Sequence, residues 1–178
     1  MGTGEITTRR AQPSDAAGLH KLNELFNGAG SNTIPNIVEM LRTNDLEIVC
    51  VATDGEHLVG FCCSHICKSF CYPVNHAEMT ELFVLDEYRR RGIGRRLLSY
   101  MEQLLVERGA RHLHILTSKN NTTAQALYRS CGYNETSEIL LDKDVNTTGF
   151  DPHPASLPVS SANMSSHSGT GSAGTYDS

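Results

Sequence analysis

Between Leu82 and Arg95 the chain reads Leu82-Phe83-Val84-Leu85-Asp86-Glu87-Tyr88-Arg89-Arg90-Arg91-Gly92-Ile93-Gly94-Arg95. An apolar, strand-like run passes into a basic turn with two glycines, and a helical pattern opens directly behind it. The first N–H groups of a helix have no partner and carry partial positive charge, so such a junction attracts anions. Glycines at 92 and 94 let a phosphate approach the backbone, and five arginines between Arg89 and Arg96 add positive potential. The chemistry indicated is a pyrophosphate held mainly by main-chain amides. A dinucleotide fingerprint would need a third glycine in a unit opened by the first strand, and a P-loop would need Gly-Lys-Ser/Thr. Neither is present. The other dense group, Cys62, Cys63, Cys67 and Cys71 with His65 and His76, has no Cys-x-x-Cys pair or repeated ligand pair. It reads as a buried strand with small apolar cysteines, and no metal is expected.

The elements around this junction follow from periodicity. Residues 6–10 make a short strand. Ser14 is placed to cap a helix carrying Leu19, Leu22, Leu25 and Phe26. Pro35 suits the first turn of a second helix with Ile34, Ile37, Val38 and Leu41. Residues 47–53 and 58–67 form a hairpin around Asp54-Gly55. A loop with Phe70, Tyr72 and Pro73 leads to a strand at about 77–85. Ile93, Leu97, Leu98, Met101, Leu104 and Leu105 give a long helix, stopped by Gly109. Residues 113–117 make a buried strand, 122–130 a helix, and 138–141 the start of a last strand. The order β-α-α-β-β-β-α-β-α-β predicts an α/β (α+β) fold, with a mixed, mostly antiparallel sheet and helices on both faces.

Arg89-x-x-Gly92-x-Gly94 after a strand ending in Val84 resembles the acyl-CoA pyrophosphate motif of the GNAT acetyltransferase superfamily. A second stretch, Asn121-x-x-Ala124-x-x-Leu127-Tyr128-x-x-x-Gly132-Tyr133, is similar to its other hallmark. The resemblance runs over about 6–145. It implies a splayed central strand pair, with acetyl-CoA in the gap against main-chain groups of Phe83 and Val84. The pyrophosphate would lie on the amides of Arg90, Arg91, Gly92, Ile93, Gly94 and Arg95. Asn121 would bond the pantetheine arm, and Tyr128 would face the thioester sulfur. Asp86 stands where many relatives have proline. Leu116 stands where the branch that modifies protein N-termini has a catalytic glutamate.

Acetylation of a primary amine needs the neutral amine, which is only about 0.04% of the total at pH 7. A carboxylate acting directly or through water can take the proton. Glu78 and Glu81 lie on the strand that ends at Val84, and their spacing of three reads as opposite faces. Glu78 is at the position where some relatives carry their base; Glu81 is nearer the expected acetyl group. A main-chain N–H near Val84 suits the oxyanion, and Tyr128 suits the leaving thiolate.

The acceptor wall is expected from the first two helices and residues 68–76, with Phe70 and Tyr72 packing on the substrate. The expected acceptor is a small-molecule amine, such as an aminoglycoside, polyamine or amino-acid-like amine. A protein lysine or N-terminal acetyltransferase is the second reading, and a noncatalytic acyl-CoA sensor the third. The sequence leaves oligomeric state open, a homodimer included.

All 15 Lys and Arg lie at or before Lys143, whereas 146–178 is a Ser/Gly/Thr-rich stretch with only Asp151 and Asp177 charged. That stretch has too little apolar surface to offset its ordering entropy, so it reads as a disordered tail behind one domain at 1–145. A net charge of −5 gives no support to general nucleic-acid binding, which wants a basic face. No signal segment or membrane span is apparent, which makes the cytoplasm the expected location.

Overall fold

Five strands lie side by side in the order in which the chain makes them: β1 (Ile6–Arg10), β2 (Glu47–Asp54), β3 (His57–Cys67), β4 (Asn75–Val84) and β5 (Ala110–Ile115). The first four pair antiparallel, and β5 joins β4 in parallel. Between them come α1 (Ala16–Asn27), α2 (Ile34–Thr43), α3 (Ile93–Glu107) and α4 (Thr122–Ser130). This computed structural model describes residues 5–141 and Lys143. The tail expected at 146–178, and the domain end at 145, lie outside the described residues.

The sheet is covered on both faces, as the element order predicted. On one face Leu97, Leu98 and Met101 of α3 close over Cys50, Cys62 and Met79. On the other, Leu19 and Leu22 of α1 and Ile37 of α2 pack on Val51, Phe61 and Cys63. Burial on both sides explains why β2 and β3 read as nearly continuous apolar runs without alternation. Cys62 and Cys63 are buried in β3, while Cys67 and Cys71 are exposed. Among the described residues no helix is long and apolar enough to cross a membrane.

Several local expectations need correction. Ser14 does not cap α1, because Pro13–Asp15 form a 3-10 turn before it. There Asp15 accepts both the Gln12 N–H at 2.7 Å and the Arg9 guanidinium at 2.6 and 2.8 Å. Leu25, expected on the buried stripe of α1, is exposed. The β2–β3 turn is at Gly55-Glu56, and Asp54 is instead a buried strand residue. Residues 138–141 form no strand; Ile139, Leu140 and Leu141 are exposed. An apolar triplet without alternation carries no register signal, so its strand reading had no support beyond composition.

Candidate active site

The sheet opens where chemistry was expected. β4 pairs with β5 only as far as Met79 opposite Ile115, yet it pairs with β3 up to Val84 opposite Gly60. From Thr80 to Val84 one edge of β4 therefore faces a gap and not a strand. The apex of that gap is at Met79, and its open end leads to the start of α3. Gly60 has no side chain for a structural reason: a Cβ there would fall 2.7 Å from the Phe83 carbonyl oxygen and force β3 off β4.

At the open end the chain turns through Asp86–Tyr88, reaches Arg90 at φ 64° and Gly92 at φ 76°, and enters α3. Left-handed backbone at two positions turns successive amides the same way, a geometry that forms anion nests. Among the described residues, no protein acceptor takes the N–H of Arg90, Arg91, Gly92, Ile93, Gly94 or Arg95; the first N–H of α3 to be satisfied is Arg96, by Gly92. These are the six positions that the sequence assigned to pyrophosphate.

Most of the arginine side chains hold the turn. Arg89 Nε donates to the Val84 carbonyl at 3.0 Å, and its other end pairs with Asp86 at 2.8 Å. Arg95 bonds the Ser130 carbonyl and hydroxyl on α4, and Arg96 reaches the Ile6 carbonyl. Arg91 lies 5.1 Å from the Tyr88 ring centroid, a cation–π contact. Tyr88 in turn donates its hydroxyl to the buried Asp54 at 2.9 Å. The contact between Asp54 and Tyr88 is not legible in the sequence, because it joins residues 34 apart and neither the Asp54-Gly55 turn nor the 82–95 stretch points to the other.

Along the gap, Tyr128 of α4 leans its ring on the α3-side core and meets Tyr133, ring centroids 6.1 Å apart. Tyr133 is fixed by its hydroxyl bond to Glu102 at 2.6 Å. Burial, with Cys62 close by, pushes the Tyr128 phenol up to about 12. Its proton therefore stays in place across the neutral range. Cys62 is the register partner of Leu82, so Tyr128 stands beside the middle of the open stretch of β4. Asn121 caps α4, its Oδ1 accepting the Ala124 N–H at 3.1 Å, which leaves its amide N–H₂ as the group free to bond a ligand.

The two carboxylates share a face, against expectation. Glu81 pairs with Cys63 and Glu78 with His65, and Cys63 and His65 are two apart on β3. The register shift opposite Cys63/Ser64 leaves Thr80 as the extra residue, a bulge that reverses the alternation. Both glutamates therefore lie on the α1–α2 side, beside the gap. Phe26, Phe61 and Phe83 form a cluster on the same side, with centroids 5.6 to 6.0 Å apart. Tyr72 lies tilted against His76, 5.3 Å between centroids, at the edge of this face, whereas Phe70 projects into solvent and packs on nothing. Glu47 of β2 joins the group unforeseen: burial pushes its carboxyl up, and the Glu81 charge adds to the shift against the opposing pull of His65. Leu116 is exposed just beyond β5.

Residues 19–133 match the family model described as acetyltransferase (GNAT) family. An uncharacterised N-acetyltransferase of Chlorobaculum tepidum is 28% identical over 138 residues, covering 76% of this chain and 79% of that one. The aminoglycoside N(6')-acetyltransferase type 1 of Salmonella typhimurium is 25% identical over 105 residues, 57% of this chain and 72% of the relative. The [ribosomal protein bS18]-alanine N-acetyltransferase of Escherichia coli is 34% identical over 89 residues, 47% of this chain and 60% of the relative. Among solved structures, an aminoglycoside acetyltransferase from an uncultured soil metagenomic sample superposes with a TM-score of 0.70 at 20% identity, over 80% of this chain and 97% of that one. AAC(6')-Iy in complex with a CoA–acetylneamine bisubstrate analogue gives 0.69 at 19%, over 80% and 100%.

Proposed function

We propose that this chain, which belongs to the GNAT acetyltransferase family, transfers acetyl from acetyl-CoA to a primary amine of a small, cationic molecule. The observation that carries this reading is the pair Glu78 and Glu81, brought to one face beside the parted strands by the bulge at Thr80. An acceptor ammonium is drawn to that face by charge and meets a base there.

The residues divide the work along the gap. The six free amides from Arg90 to Arg95 take the pyrophosphate. The pantetheine arm runs back along the open edge of β4, past Val84 and Phe83, with Asn121 donating to it from α4. The thioester then lies near Leu82, beside Tyr128. Glu78, directly or through water, takes a proton from the acceptor ammonium. The amine nitrogen bonds the carbonyl carbon, a main-chain N–H of the open strand bonds the oxyanion, and the C–S bond breaks as Tyr128 protonates the thiolate. The second N–H proton of the acceptor replaces the one that Tyr128 gave. The phenol suits this role because burial keeps it protonated at neutral pH.

Aminoglycoside N-acetyltransferases among the relatives and structural neighbours support an aminoglycoside acceptor. The bS18-alanine acetyltransferase similarity favours a second reading, an acceptor at a protein N-terminus; exposed Leu116 in place of a carboxylate speaks against it. The deciding experiment offers acetyl-CoA with neamine, spermidine, free amino acids and an Ala-initiated peptide, and follows thiol release. Turnover of neamine or spermidine is expected. Turnover of the peptide alone would replace the small-molecule reading, and tight acetyl-CoA binding with no turnover of any amine would make the chain a sensor.

A further inference from the structure

On the acceptor face, four side chains from four adjacent strands stand in one line. Register pairs Glu47 with His65, His65 with Glu78, and Glu78 with His114. Directly opposed residues in a sheet have Cβ atoms about 5 Å apart, within reach of one another's side chains. The line therefore alternates carboxylate, imidazole, carboxylate, imidazole. Of the three pairs the one at the β2 end closes to contact, His65 Nε2 lying 3.7 Å from Glu47 Oε1, while His65–Glu78 and Glu78–His114 stand farther apart and exchange a proton through water. At the other end, His114 is exposed and lies near Glu138, whose carboxyl is held down first by its hydrogen bond with Thr136 and last by His114. His76 and His112 form a second imidazole pair beside it, 5.1 Å between centroids, with His76 and His114 at 6.2 Å. Glu81, from the neighbouring pair on β4, completes the charged groups identified around the line.

We propose that this row is the exit path for the proton released in acetyl transfer, with His65 and His114 as positioning residues that return Glu78 to its ionised form. The inference rests on Glu78 as the base. Acetylating an ammonium releases one proton per turnover to solvent. On ordinary values a carboxylate lies about six units below an amine and an imidazole about two units above a carboxylate. A proton lodged on Glu78 alone is thus readily returned to the acceptor, whereas an adjacent imidazole accepts it, holds it and exchanges it with water near neutral pH. Both imidazoles are exposed enough to discharge it: the His65 side chain is 46% accessible and His114 is exposed. The proton moves from nitrogen to Glu78 to imidazole to water, and no other bond changes.

Two measurements on the full chain test this. The first needs no acceptor: the imidazole C–H resonances are compared by NMR between the wild type and Glu78→Gln. Removing the central carboxylate should displace the resonances of His65 and His114, its register partners, while that of His57 at the far end of β3 stays in place. Resonances of His65 and His114 that ignore Glu78 would overturn the row. The second uses neamine and spermidine with His65→Gln/His114→Gln. Turnover at pH 7 should fall about tenfold, with the acetyl-CoA KM unchanged and added imidazole restoring part of the loss. Wild-type turnover and pH profile in the double variant, or a loss that imidazole does not repair, would also overturn it. An active Glu78→Gln enzyme would instead refute the base assignment.

Discussion

Where α3 begins, one short stretch of chain supplies the whole of the proposed anion site: six consecutive amides, two left-handed residues and the arginines that brace them. Across the sheet, the proposed acceptor face takes Glu47 from β2, His65 from β3, Glu78 and Glu81 from β4 and His114 from β5. The first region is main chain and local; the second is side chain and assembled by register. Main-chain recognition fixes a ligand that never varies and tolerates change in most side chains around it. Side-chain recognition can be changed one residue at a time, which suits the half of the reaction where acceptors differ.

The sharpest way to break this comparison is a side chain that should matter in the cradle. Gly94→Glu places a carboxylate among the free amides. A Cβ at 94 meets only the tip of Leu127, at 3.1 Å, so the helix should accept the bulk and the charge should do the damage. Acetyl-CoA binding by calorimetry is expected to disappear with the melting temperature nearly kept. Unchanged affinity would show that the pyrophosphate lies elsewhere.

On the acceptor face, Glu78→Gln should lower turnover by about a hundredfold or more and remove the acidic limb of the pH–rate profile. Acetyl-CoA affinity should not move, because the cradle is on another part of the chain. Glu81→Gln tests the alternative base in the same assay and is expected to lose less. Full activity in both variants would detach the base from this face.

The contrast also explains what could be read from the sequence. The strand, glycine turn and helix behind the proposed cradle were legible, since they follow one another within fourteen positions. The two covered faces were legible from the apolar runs of β2 and β3 and the stripe of α3. The acceptor face was only half legible. Glu78 and Glu81 were identifiable, but their common side depends on the bulge at Thr80, and nothing in Met79-Thr80-Glu81 announces an extra residue. His65 and His76 stand out in the sequence only within a cysteine-rich run, where such residues suggest a metal and not a row across the sheet. Glu47 and His114 gained meaning only when register placed them opposite His65 and Glu78. The apolar residues 139–141 show the reverse failure: composition suggested a strand where the structure forms none.

Tyr128 stands between the two regions, touching the gap from α4. Tyr128→Phe should lower turnover about tenfold, with the loss in the step that protonates the thiolate. Thioesters with better leaving groups should recover part of it, and should give no recovery in Glu78→Gln. The phenol also makes a pH prediction. Burial raises it to about 12, so the folded state binds its proton more tightly than the unfolded chain, where the value is near 10. Its contribution to stability is complete below pH 10 and is lost as pH rises toward 12. Tyr128→Phe should flatten that part of the wild-type stability curve in denaturant titrations, and an unchanged slope would show that the phenol is not held as described.

The smallest effect is expected where a side chain braces the main-chain site. Tyr88 gives its hydroxyl to buried Asp54 and its ring face to Arg91, so the β2–β3 hairpin is tied to the turn that presents the amides. Tyr88→Phe keeps the ring and removes only the hydroxyl. Asp54 then loses a donor at one oxygen in a buried position, and the turn loses its fixed distance from the hairpin. The cradle should still form, because Arg89 continues to hold the Val84 carbonyl and Asp86 from the other side. The acetyl-CoA KM should accordingly rise a few-fold with kcat unchanged, and Tyr88→Leu, which also removes the partner of Arg91, should raise it further. An effect on kcat in place of KM would mean that Tyr88 reaches the reacting end of the gap, and the separation between a main-chain donor site and a side-chain acceptor site would no longer hold.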